Sequence, residues 1–241
     1  KKSRETSIRE AGAQQDLFAE EPATPLDITD RVPVVGIGDL HGENPAELKK
    51  DLVEAGIIDN DNYWLTDKTV VQVGDVSDRG EYTNQLIDFL DDVGLKSNDK
   101  FIRLLGNHDL FHIMGRAEAL RAEPNSQTTK KLYDGVISGR IKAAWVEGNT
   151  IYTHAGIDLS FFTEFKDMTP KQIADNLNER LMYGVLNKNY NDKIFDTENG
   201  IFWTRGNLEN DKFRQVVGHT VKAKQHTYKD GDRVKYIDTG R

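Results

Sequence analysis

The residues best suited to chemistry fall in five short clusters: Gly38-Asp39-Leu40-His41-Gly42, Gly74-Asp75-Val76-Ser77-Asp78-Arg79-Gly80, Gly106-Asn107-His108-Asp109, His154-Ala155-Gly156 and Gly218-His219-Thr220. Carboxylate, carboxamide and imidazole groups are ligands for manganese, iron or zinc. The chain has no cysteine, which excludes thiolate ligands, disulfides and a cysteine nucleophile. A carboxylate standing between two groups of ligands, as Asp75 does in this order, can bridge a metal pair, and such a pair can generate hydroxide and clamp a phosphoryl group. The flanking glycines allow tight turns and close backbone approach. Each cluster alone is an ordinary turn signal. Four of the six histidines, however, fall inside the clusters, which coincidence explains poorly. His112, on an apolar helical stretch beside Phe111 and Ile113, and His226, in a polar stretch, are expected to be structural.

These groups need elements that bring them together. Short apolar, β-branched runs predict strands at Val32 to Gly38, Thr69 to Gly74, Phe101 to Leu105, Thr150 to His154, Gln215 to Gly218 and Val234 to Ile237, with a polar cluster at the end of most of them. The gaps from Asp39 to Asp75 and from Asp75 to Asn107 each suit one strand–helix–strand unit of about 30 residues. Successive parallel strands would deliver their acids to one edge of a sheet, where open α/β sheets bind ligands. Asn44-Pro45 reads as the cap and first position of a helix that Gly56 ends, Leu86, Phe89, Leu90 and Val93 mark a second helix, and Thr169-Pro170 opens a third.

Bulk properties bound the reading. A chain of 241 residues with 37% hydrophobic and 30% charged residues is expected to be globular. Its formal net charge of −8 gives no footprint for nucleic acid, so none is expected as a partner. No apolar run approaches membrane-spanning length, so a soluble chain is expected, cytoplasmic or exported after removal of a targeting peptide. Residues 1–31 read as a tail, ordered at best in part, and 32–241 as the folded domain. The stretch from about 110 to 147 reads as helical, with apolar positions at Leu120, Leu132, Val136 and Ile141. It could form a cap beside the site, although core packing is the simpler expectation.

The ordered set GDLHG, GDVSDRG, GNHD, HAG and GHT resembles the phosphoprotein phosphatase branch of the calcineurin-like metallophosphoesterases. The resemblance runs from about Val32 to Gly240. It implies an α/β fold, a two-sheet β-sandwich flanked by helices in four layers, and two divalent cations, manganese first, with iron or zinc as alternatives. By the same resemblance Asp39, His41 and His219 would hold one ion and Asn107 and His154 the other, with Asp75 bridging. Hydroxide held between the ions would attack phosphorus directly. His108 would protonate the leaving oxygen, Asp78 would orient His108, and Arg79 and Asn107 would meet the substrate phosphate.

Several positions depart from the common serine/threonine enzymes: Asp109 in place of glutamate, Gly218-His219-Thr220, Phe202-Trp203-Thr204-Arg205-Gly206, and Tyr236 to Gly240. They look more like the bacterial-type Shewanella-like phosphatases, a group associated with phosphotyrosine as well as phosphoserine and phosphothreonine. Arg205 becomes a candidate second phosphate ligand and Asp238 a candidate support for His219. The expected substrate is therefore a phosphoprotein or phosphopeptide. The alternatives are a dinucleoside polyphosphate or other small phosphate ester, and, in another class, a non-catalytic phosphate-binding scaffold.

Overall fold

The structure, a computed structural model, describes residues 33–221 and 232–240. The N-terminal stretch read as a tail lies outside the described residues, as does His226. The domain is built from eight strands and five α-helices among the described residues, and all six expected strands form, several one or two residues shorter than the sequence suggests.

The first sheet has the order β1 (Val34–Ile37), β2 (Thr69–Gln72), β3 (Phe101–Leu104), β4 (Ile141–Lys142), and every neighbouring pair is parallel. The second runs β5 (Ala144–Glu147), β6 (Thr150–Thr153), β7 (Arg214–Val217), β8 (Val234–Tyr236), with β5 and β6 antiparallel and the later pairs parallel. The sheets face each other through Val71, Val73, Ile102 and Leu104 on one side and Tyr152 and Val216 on the other. Alternate positions of β2 and β3, Val70 and Phe101, instead join the larger core under the helices. Strands buried on both faces are rich in Val, Ile and Leu, which is why these runs were legible.

The crossovers are helical. In α1 (Pro45–Glu54), the Asn44 side chain accepts from the Ala46 N–H and proline occupies the first turn, so cap and start agree. The stripe Leu86, Ile87, Leu90 and Val93 is the buried face of α2 (Thr83–Lys96). Thr169 and Gln172 form a reciprocal capping box at the head of α5 (Pro170–Asn187), which packs on the second sheet.

The stretch from 110 to 147 is only partly helical. It holds the end of α3 (Asn107–Ile113), a 3-10 turn at Ala117–Leu120, and α4 (Ser126–Ile137), which packs against α2, α3 and α5. Ile141, expected on a helix, lies instead in β4. The helix stops because Gly139 turns into the left-handed region at φ +76°. The two short strands that follow close one sheet and open the other.

Candidate active site

The loops after β1, β2 and β3 and those after β6 and β7 meet at one place. The first two are stitched together by backbone: the N–H groups of Leu40 and His41 donate to the Asp75 carbonyl at 3.0 and 2.8 Å, and that of Gly42 donates to the Val76 carbonyl at 2.8 Å. His41, Asp75, Asp78 and Arg79 all sit at positive φ, a conformation that costs energy for a residue with a side chain and clusters at functional sites. Asp109, in the first turn of α3, holds the turn from Asp75 to Asp78: its carboxylate accepts from the N–H groups of Val76 and Ser77 and, at 2.7 Å, from the Ser77 hydroxyl. The sequence marked Asp109 only as a departure from a pattern. Its work is to fix the loop that carries Asp75 and Asp78.

Two glycines permit the closest approaches. A Cβ on Gly106 would lie 2.0 Å from Asp75 Oδ1, and one on Gly218 would lie 2.2 Å from Asp39 Oδ1. Only the missing side chain lets α3 and the end of β7 come so near these carboxylates. The N–H of His108 then donates to Asp75 Oδ1 at 2.9 Å, and the N–H of His219 reaches the Asp39 carboxylate at 3.1 Å.

The side chains form two groups of donors that share Asp75: His41 and His108 on one side, His154 and His219 on the other. His154 faces the Val73 carbonyl through Nδ1 at 2.9 Å and Asn107 Oδ1 through Nε2 at 2.8 Å. His219 faces the Trp203 carbonyl through Nε2 at 3.2 Å and the same Asn107 oxygen through Nδ1 at 3.1 Å. A neutral imidazole carries one ring hydrogen, so it cannot satisfy two acceptor oxygens. With the hydrogen on the carbonyl side, both rings turn a lone pair toward the Asn107 oxygen, a conflict removed either by a cation among them or by turning the Asn107 amide to present its N–H groups. His41 follows the same pattern, its Nδ1 against the Ser77 carbonyl at 3.1 Å and its Nε2 3.7 Å from Asp75. Anchoring one nitrogen to a carbonyl is how proteins orient metal-binding histidines.

Electrostatics point the same way. Burial, with the neighbouring charges of Asp75 and Asp238, pushes the Asp39 carboxyl up to about 9, so its ionised form needs a cation nearby. Burial, together with His154 and Arg205, lowers His219 to about 3, and burial also lowers His41. These rings stay in the lone-pair form a metal requires. The donor set therefore fits divalent cations held by oxygen and imidazole. The imidazole of His219, expected beside Asp39 and His41, lies near His154 and Asn107, while its backbone N–H donates to Asp39.

His108, a member of the first group, also belongs to a hydrogen-bonded pair. His108 Nδ1 meets Asp78 Oδ2 at 2.7 Å. Burial raises the Asp78 carboxyl, but the hydrogen bonds from His108 and His112 outweigh it and hold the group at about 2. Burial opposes the charged form of His108, and the hydrogen bond to Asp78, with the charges of Asp75 and Asp78, outweighs that and raises it. His112, which sequence reasoning set aside, is the second partner of Asp78. The signal that could have found it was its spacing four residues after His108, one turn along the same helix.

A cleft of about 640 Å³ opens over the donors, lined also by Arg79, Leu120, Trp203, Arg205 and Val221. Both candidate phosphate arginines thus reach it. Arg205 donates to the Thr220 hydroxyl at 3.2 Å. Asp238 borders the cleft but contacts neither ring nitrogen of His219, which are both engaged elsewhere. It is a charged neighbour of Asp39, and its carboxylate accepts from the Gly240 N–H at 2.9 Å. From the stretch suggested as a cap, Leu120 alone lines this cleft.

The chain belongs to the calcineurin-like phosphoesterase family, whose model matches residues 32–237. Family and fold are those the motifs implied. Among relatives, Shewanella-like protein phosphatase 2 of Arabidopsis thaliana is 37% identical over 87 residues, 34% of this chain and 22% of that protein. Shewanella-like protein phosphatase 1 of Plasmodium berghei is 34% identical over 86 residues, 34% of this chain and 24% of the relative. The chain thus matches less than a quarter of the length of each. Among solved structures, the cold-active protein-tyrosine phosphatase of a psychrophilic Shewanella species shares the fold at a TM-score of 0.61 and 18% identity, covering 86% of this chain and 71% of the other. Hydrolysis of a phosphate ester with divalent metals is the chemistry of the family. Among the described residues, no helix is long and apolar enough to cross a membrane.

Proposed function

We propose that the protein is a phosphomonoesterase that removes phosphate from phosphoprotein side chains, phosphotyrosine foremost, using two divalent cations. The observation that carries this reading is the His108–Asp78 hydrogen bond next to His41, His154 and His219, the imidazoles grouped around the Asp75 carboxylate. In this reading Asp39 and His41 would hold one ion, Asn107, His154 and His219 the other, and Asp75 both. When bound, the ions would supply a hydroxide nucleophile and positive charge for the phosphoryl group.

The chain's own residues do the rest. Arg79 and Arg205 line the cleft from different loops, and a planar guanidinium can give a phosphate two parallel charge-assisted hydrogen bonds. His108 is tied to Asp78 through Nδ1, which leaves Nε2 to donate a proton to the departing oxygen. Such a donor matters when the leaving group is a poor one, an alkoxide or phenoxide. Burial opposes its charged form, but the hydrogen bond to Asp78 outweighs that and raises its affinity for protons. Leu120, Trp203 and Val221 line the cleft and offer apolar surface on which a phenyl ring can rest, and the protein-tyrosine phosphatase that shares the fold motivates the same preference.

The test uses metal-stripped protein with manganese, iron or zinc restored. Phosphotyrosine, phosphoserine and phosphothreonine peptides are compared with dinucleoside polyphosphates. Metal-dependent release of phosphate, fastest from the phosphotyrosine peptide, is expected. Faster turnover of the dinucleotides, or no turnover with any metal, overturns the reading.

A further inference from the structure

His112 holds no metal and meets no substrate in the proposed reaction, yet it makes one of the shortest contacts around the site. Its Nε2 lies 2.6 Å from Asp78 Oδ1, while His108 Nδ1 lies 2.7 Å from Asp78 Oδ2. The two imidazoles stand one turn apart on α3, so the helix fixes their spacing and the carboxylate is held between them. The His112 ring is buried, at 3% exposure. It borders not the metal cleft but a separate hollow of about 380 Å³, lined also by Asp78, Arg79, Arg121 and Thr128.

The hydrogen of His112 is assignable. A carboxylate oxygen at 2.6 Å accepts, so Nε2 donates. The other nitrogen, Nδ1, is buried with no hydrogen-bond partner among the described residues, and a hydrogen there would be buried without an acceptor. The ring thus directs its Nε2 hydrogen to Asp78.

Asp78 needs such a partner. Its backbone is left-handed at φ +72° and that of Arg79 at φ +63°, in a turn that is well exposed from Arg79 onward. With His108 as sole partner, the carboxylate would be free to rotate and would take the imidazole with it. With both oxygens engaged, rotation breaks one hydrogen bond or the other. Networks of this kind fix geometry more firmly than either bond alone.

We infer that His112 is a positioning residue of the reaction: by binding the second oxygen of Asp78 it holds the carboxylate, and through it the proton-donating ring of His108, in the orientation the leaving group requires. The inference rests on the proposed role of His108 as proton donor. It separates His112 from an ordinary core residue, because its loss should act on the proton-transfer step and spare substrate binding.

The experiment compares two aryl phosphates in the manganese-loaded protein: phenyl phosphate, with a poor leaving group, and p-nitrophenyl phosphate, with a good one that needs little protonation. His112→Ala is expected to lower kcat for phenyl phosphate about 10-fold, to change that for p-nitrophenyl phosphate less than about two-fold, and to leave KM unchanged. His112→Gln, whose amide can donate near the position of Nε2, should restore the lost rate. His112→Phe, which fills the volume without a donor, should not, and it replaces His112→Ala should the smaller side chain fail to fold. His108→Ala should show the same split, larger. In metal-free protein, proton NMR should show the His108 N–H resonance broadened by faster exchange in His112→Phe and restored in His112→Gln. Equal losses on both substrates, or rescue by phenylalanine as good as by glutamine, overturn the inference. A split in His108→Ala with none in the His112 variants overturns it alone, whereas no split in His108→Ala overturns the proton-donor reading and the inference with it.

Discussion

The two sheets bring their residues to the site by different means. Asp39, His41 and Asp75 arrive on loops of the parallel first sheet and Asn107 and His108 at the start of α3, after β3; there His41, Asp75, Asp78 and Arg79 have left-handed backbone and the His108 N–H grips the Asp75 carboxylate. His154 and His219 follow the strand ends of the second sheet, and His154 is anchored on the Val73 carbonyl of the opposite sheet. The first sheet assembles a strained scaffold around shared charge. The second adds imidazoles to it, and only His219 among them shares the left-handed backbone, at φ +59°, and grips a carboxylate, Asp39, through its N–H. A residue shared between donor groups should therefore be far more costly to lose than a residue that serves one.

The largest effect is expected at Asp75, the carboxylate both donor groups share. Asp75→Asn keeps the size and removes the charge, and it should deplete both ions by metal analysis and lower activity more than about 100-fold. Full metal occupancy with full activity would sink the bridging role.

His154 and His219 sharpen the comparison. Both face the Asn107 oxygen, at 2.8 and 3.1 Å, so both should serve one ion. His154→Ala and His219→Ala should each bring the metal content toward one ion per chain, and the double variant should lose no more than either alone. If the double variant loses both ions, His219 belongs with Asp39 and His41, the division the motifs implied.

That disagreement marks the limit of what the sequence carried. Asp39, Asp75 and Asn107 were legible because a strand end fixes where the next residue goes, and three strands in sequence put them on one edge. The proximity of the His219 ring to Asn107 and His154 was not, because it arises between loops of different sheets and leaves no local pattern. Asp109 and His112 were hidden for a related reason. Each sits on α3 and acts on the turn after β2, some thirty residues earlier, so neither role shows in local pattern. Strands β4 and β5 were missed because two and four residues after a helix carry too little alternation to stand out.

The smallest effect is expected far from the site, where charge stabilises the fold and not a reaction. The Arg180 guanidinium meets Asp192 through Nε at 3.0 Å to each carboxylate oxygen, and lies over the Phe162 and Phe165 rings at 6.0 and 5.9 Å. Burial raises the Asp192 carboxyl, but the hydrogen bonds from Arg180 and the Ile194 N–H, with the charges of Arg180 and Lys193, outweigh it and hold it below the usual carboxylate range. A depressed value means that the folded state binds its proton less readily than the unfolded chain. The stabilisation is therefore present above the unfolded value of about 3.9 and is lost as pH falls through the lower folded value. Asp192→Asn removes the charge and keeps a side chain able to accept from Ile194 N–H, so cap and ion pair separate. The Asp192 side chain is 37% exposed, and solvent screening should keep the effect below about 1 kcal/mol. Urea unfolding of metal-free protein should show wild type the more stable at pH 7, with the gap closing below about pH 4. A gap that stays constant with pH would assign the difference to the cap alone.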